Sequence, residues 1–139
     1  MSFLVDTNVL SELRKGKRCD PNIARWFAEL PAEEIFLSVL VVGEVRCGIE
    51  RIRRRRDLTA ARALENWLND LVQEYADRLL PIDEAVANEW GQLNVPDPLP
   101  VIDGLMAATA RVHGLTLATR NLKDLKRTGV ACVDPFATG

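Results

Sequence analysis

Four acidic residues stand apart from the rest of the chain's charge by their settings. Asp6 ends the apolar run Phe3-Leu4-Val5 and precedes Thr7-Asn8, and Glu44 sits within Val41-Val42-Gly43-Glu44-Val45. Asp103 is the only acid between Val101 and Ala108, and Asp124 follows Asn121 by three residues. Each has an ordinary structural account. Asp6 can cap the helix after it, Glu44 can form a buried ion pair with Arg46 or Arg111, Asp103 can complement a helix dipole, and Asp124 can share a capping-box-like turn with Asn121. Glu44 resists its account most, because an unpaired carboxylate among apolar neighbours costs several kcal/mol or becomes protonated.

Brought together, the four acids do chemistry that none does alone. Two carboxylates about 4 Å apart repel by about 4 kcal/mol at an effective dielectric of 20, so four of them call for a counter-charge. A single histidine excludes a histidine metal cluster, and three widely spaced cysteines without a C-x-x-C pair indicate neither a cysteine zinc site nor a disulfide framework. Oxygen ligands alone suit Mg²⁺ or Mn²⁺, which keep several waters. Waters so held become nucleophiles, and the metal steadies the attacking and leaving oxygens of an in-line displacement at phosphorus. The chemistry indicated is phosphodiester hydrolysis.

Alternating strands and helices would have to position these acids. Phe3 to Asp6 reads as a strand turning into a helix that carries Val9, Leu10 and Leu13. Asp20-Pro21 opens a second helix through Leu30, and a strand from Glu34 to Leu37 leads to a third helix capped by Ser38 and apolar almost all round in its first turns, hence expected to be buried there. Asp57 to about Asp77 keeps the spacing of a long amphipathic helix. Leu79 to Ile82 is a strand, Asp83 caps a helix through Trp90, and Pro96-Asp97-Pro98-Leu99-Pro100 forces a non-helical connection. Val101 to His113 is helical with Gly114 at its end, Leu115 to Ala118 is a strand, Asn121 to Arg127 a short helix, and Ala131 to Val133 a closing strand. The pattern predicts one α/β domain over residues 1–139 with a mostly parallel sheet, whose carboxyl edge gathers Asp6, Glu44 and Asp124, with Asp103 joining from the helix after the proline-rich stretch.

Several stretches together resemble the PIN-domain ribonucleases, and most closely the VapC- and FitB-like toxins of prokaryotic toxin–antitoxin pairs. These are Leu4-Val5-Asp6-Thr7-Asn8, Ser38 with Glu44, Ile102-Asp103 with Ala107-Ala108-Thr109-Ala110, Leu117-Ala118-Thr119-Arg120-Asn121-Leu122-Lys123-Asp124, the Trp90-Gly91 pair and the basic middle. The resemblance runs in order over nearly the whole chain. It implies a three-layer α/β/α fold and an acidic quartet, Asp6, Glu44, Asp103 and Asp124, that holds Mg²⁺ or Mn²⁺. Thr119 would act in the catalytic set, with Thr7, Asn8, Ser38 and Asn121 orienting acids or water around it. It further implies an RNA substrate, a cognate antitoxin and a homodimer. Leu125 stands where the family often has Phe, and the proline-rich stretch before Asp103 reshapes the entrance to the site.

With 18 Lys+Arg against 20 Asp+Glu, the net charge of −2 argues against nucleic acid only if charge is spread evenly. It is not. Seven arginines fall between Arg46 and Arg62 against Glu50 and Asp57, and Arg14, Lys15, Lys17 and Arg18 form a second cluster. Arg46, Arg53, Arg54, Arg55, Arg56 and Arg120 are candidate phosphate contacts, although such a run is also what a solvated face or an antitoxin-facing surface looks like. Only the run Phe3-Leu4-Val5 precedes Asp6, too short for a signal-peptide core or a membrane span, and a cytoplasmic protein is the expectation. Two other readings compete. One is a haloacid-dehalogenase-like or receiver-like phosphotransfer protein with Asp6 as nucleophile, in which Asn8 stands where a second Asp is needed; the other is a non-catalytic module that only binds nucleic acid or a partner.

Overall fold

A computed structural model describes residues 1–137. The two final residues, which the single-domain reading of 1–139 includes, lie outside the described residues. Five strands form one sheet: β1 (Phe3–Val5), β2 (Ile35–Ser38), β3 (Leu79–Leu80), β4 (Thr116–Ala118) and β5 (Cys132–Val133). Their order is β3-β2-β1-β4-β5 and every pairing is parallel. β1 is central, with Leu4 beside Phe36 on one side and Leu117 on the other, and all three of its residues are buried. That burial on both faces is why Phe3-Leu4-Val5 is an unbroken apolar run and not an alternating one.

The helices are α1 (Thr7–Leu13), α2 (Pro21–Ala28), α3 (Val39–Arg54), α4 (Leu58–Glu74), α5 (Glu84–Leu93), α6 (Val101–His113) and α7 (Leu122–Leu125). From β1 to β2 to β3 the sheet grows in one direction, and from β3 the chain crosses back to β4 and β5. Right-handed crossovers therefore place α1 to α4 on one face and α5 to α7 on the other, the three layers expected of the fold. Contacts agree: α1 meets α2 and α3, α3 packs along α4, and α6 packs on α5 and α7. The order reverses between β1 and β4, and beyond the carboxyl ends of strands at such a switch lies the crevice where α/β sheets bind ligands.

Local chemistry explains most boundaries. Asp20, Ser38, Asp57 and Asp83 each accept from a backbone amide in the first turn of α2, α3, α4 and α5. Gly114 ends α6 at φ +66, a conformation that suits a residue without a Cβ. Differences from the sequence reading are local. α5 continues three residues past Trp90, since no breaker intervenes before Pro96. The last helix divides into α7 and a 3₁₀ turn over Lys126–Thr128, ended by Gly129 at φ +75. The start of α3 is not enclosed: Val41 and Val45 are buried, but Val39 is 36% exposed and Gly43 is open to solvent, because this side faces the crevice instead of the sheet. Among the described residues no helix is long and apolar enough to cross a membrane.

Candidate active site

The carboxyl edge of β1 and β4 builds a connected set of hydrogen bonds. Asp6 directly follows β1 and caps α1, its Oδ1 accepting from the Thr7 amide at 2.6 Å. Its Oδ2 accepts from the Thr119 hydroxyl at 2.7 Å, and Thr119, which follows β4, is 1% exposed. The Thr7 hydroxyl donates to Glu44 Oε1 at 2.6 Å, reaching from α1 across to α3. On the other side the Asn121 amide nitrogen of the backbone donates to Thr119 Oγ1 at 3.2 Å, while its side-chain Nδ2 donates to Asp103 Oδ2 at 2.6 Å. Glu44, Thr7, Asp6, Thr119, Asn121 and Asp103 thus form one uninterrupted relay from α3 through α1 and the ends of β1 and β4 to α6. Asp124, on α7, is exposed and stands near enough to Asp103 to act on its charge.

The electrostatics follow from this crowding. Burial pushes the Asp103 carboxyl above the ordinary aspartate range; the Asn121 amide opposes this, and the charges of Asp6 and Asp124 add to it. None of the four acids forms a salt bridge among the described residues. The basic partners that could have neutralised Glu44 are engaged elsewhere, Arg46 with Glu65 and Arg111 with Glu89. Among the described residues no three His, Cys, Asp or Glu side chains stand close enough to hold a metal by themselves. The donor set fits a hard cation that keeps much of its water: it is all oxygen, it has no compensating base, and Glu44 Oε2 and Asp103 Oδ1 accept no hydrogen bond among the described residues.

Of the residues expected to support the acids, Thr7, Thr119 and Asn121 touch them directly. Ser38 is fully buried and accepts from the Leu40 amide as the α3 cap, and Asn8 is exposed in the first turn of α1 without a hydrogen bond to an acid. Asn121 does not cap α7 with its side chain, so the capping-box account of Asp124 is not realised. Arg46 and Arg53 bind Glu65 and Glu50, Arg54 is exposed near the end of α3, Arg55 and Arg56 follow it, and Arg120 lies 3.5 Å over the Phe136 ring. Sequence reasoning passed over Arg51, which with Glu44, Cys47 and Ile102 lines a groove of about 470 Å³. Its spacing was the available signal: seven residues after Glu44 is two helical turns along the same face.

Known proteins share this architecture. The toxin FitB of Neisseria gonorrhoeae is 31% identical, matched over 96% of this chain and 98% of its own length. The VapC ribonuclease Y4jK of Sinorhizobium fredii is 29% identical over 96% of this chain and 97% of its own. The crystal structure of FitAcB from Neisseria gonorrhoeae superposes with a TM-score of 0.88 at 30% identity, covering 98% of this chain and 99% of that one. Residues 3–131, from β1 to the residue before β5, match the PIN domain, and the chain belongs to that family.

Proposed function

We propose that the chain is a toxin-type endoribonuclease that hydrolyses RNA phosphodiester bonds in the cytoplasm with Mg²⁺ or Mn²⁺ at Asp6, Glu44, Asp103 and Asp124, and that a cognate antitoxin holds it inactive. The names of its relatives, a toxin and a ribonuclease, support the biological role. The observation that carries the chemistry is the relay from Glu44 to Asp103, which aligns three acids through donors and leaves their charge unneutralised.

Held by these oxygens, the cation would polarise a phosphoryl oxygen and make a bound water more acidic and so a better nucleophile. The chain's own residues do the positioning. Asp6, only 9% exposed and held at both oxygens, is fixed in one orientation, and Thr7 fixes Glu44 against it. Asn121 positions Asp103 and only partly offsets the burial that favours its proton. That proton must leave before the oxygen can serve as a ligand, so activity is expected to rise with pH through the range where Asp103 titrates.

The test is cleavage of labelled single-stranded RNA by the purified chain, free of partner, in Mg²⁺, in Mn²⁺ and in EDTA. Cleavage with either cation and none in EDTA is the expected result. Cutting that persists in EDTA, or binding without cutting in any condition, contradicts the proposal.

A further inference from the structure

The arginine run is not one uniform surface. Arg46 and Arg53 are held by carboxylates: Arg46 by Glu65 of α4, and Arg53 by Glu50 on its own helix and again by Glu65 at 3.4 Å. They tie α3 to α4. Arg51 and Arg54 are exposed and have no salt bridge among the described residues. Both line an open groove of about 580 Å³, and Arg51 and Cys47 also line the groove that contains Glu44. The two grooves share Cys47 and Arg51 in their lining and adjoin along α3 as a trough, whose wider part is also lined by Arg46, Glu50 and Arg53. Glu44, Cys47, Arg51 and Arg54 follow one another at three- and four-residue steps and so share one helix face. Arg55 caps the end of α3, Arg56 turns away at φ +65, and neither lines the trough.

We propose that this trough carries the sugar-phosphate backbone of the RNA away from the scissile bond, with Arg51 and Arg54 as its phosphate contacts. The inference rests on the endoribonuclease reading and names the path that the substrate takes to that site. Along a helix rising 1.5 Å per residue, Arg51 lies roughly 10 Å beyond Glu44 and Arg54 roughly 15 Å. Unpaired guanidinium groups present the planar fork that phosphate oxygens take up, whereas the forks of Arg46 and Arg53 are already filled by carboxylates.

The experiment measures binding of a labelled single-stranded RNA to the full chain in EDTA across a series of salt concentrations. It compares wild type with two double variants that each remove two charges, Arg51→Ala/Arg54→Ala and Arg55→Ala/Arg56→Ala. Circular dichroism checks that each variant is folded. For single strands each lost phosphate contact lowers the slope of log affinity against log salt by about 0.7, so the first double variant is expected to lose about 1.4 and to bind more than tenfold more weakly at low salt. The second is expected to lose distinctly less slope. Equal losses from both pairs, or an unchanged slope in the first, overturns the proposal. Wild-type cleavage of the same RNA in Mn²⁺ separates the two levels of the account: cleavage with an unchanged slope rejects only the path, whereas absence of cleavage rejects the enzyme reading and the path with it.

Discussion

At the residue scale, the acids do two jobs that compete only in principle. Asp6 caps α1 through one oxygen and meets Thr119 through the other, so the ordinary account is realised and is compatible with the proposed one. Thr119→Val keeps the volume and removes the donor to Asp6; the expected outcome is a fall of about 10- to 100-fold in Mn²⁺ affinity or cleavage with the fold retained, measured by metal titration and single-turnover cleavage. Asp103 supports a prediction of opposite character. Its carboxyl is raised mainly by burial, so in the metal-free chain its ionisation costs folding stability, a cost absent while the acid is protonated and complete once pH has risen through the raised value. Asp103→Asn is therefore expected to raise the thermal midpoint in EDTA at neutral pH while abolishing cleavage, and the gain should vanish as pH falls through the carboxylate range. A variant less stable than wild type at pH 7 contradicts this. All four acids were legible in the sequence because each sat in an apolar or turn setting that its charge did not suit. What binds them was less legible, since the reach of Asn121 from the start of α7 to Asp103 on α6 depends on tertiary packing.

At the element scale, α3 and α6 carry the acids that the sheet itself does not. Gly104, next to Asp103, is where α6 meets α5: a Cβ there would lie 3.1 Å from the Trp90 indole and 3.4 Å from the Leu99 Cβ. Gly104→Ala is expected to destabilise the chain by about 1–3 kcal/mol, by overpacking, and to weaken metal binding by shifting the turn that holds Asp103. Gly43 on α3 is the contrast, with nothing within 4 Å of an added Cβ. There alanine is expected to stabilise by about 0.5–1 kcal/mol through helix propensity alone. Denaturant titration of both variants reads the two signs. The strand and helix succession was readable from periodicity and capping residues, because parallel strands buried on both faces write continuous apolar runs. The open side of α3 was not: Val39, Leu40, Val41 and Val42 give the same apolar pattern whether they face a core or a crevice, and only the sheet order decides which.

Over the whole molecule, the charge is divided. An acidic crevice lies at the switch between β1 and β4, and a basic trough runs from it along α3, within a chain whose net charge is only −2. Acids from the end of β1 and from α3, α6 and α7 converge on that crevice, so a cation held by them as proposed would bridge both layers of helices. The proposed site therefore predicts that metal stabilises the fold: at a hundredfold excess over Kd the native state is expected to gain about 2.7 kcal/mol, which for a chain of this size would raise the midpoint by roughly 8 °C, and EDTA should reverse the shift. The most direct test of the account is a calorimetric Mn²⁺ titration of the wild-type chain beside Asp6→Asn and Asp103→Asn. Saturable binding by wild type and a loss of at least about tenfold in each variant is the result predicted; affinity that neither substitution changes would contradict the shared acidic site.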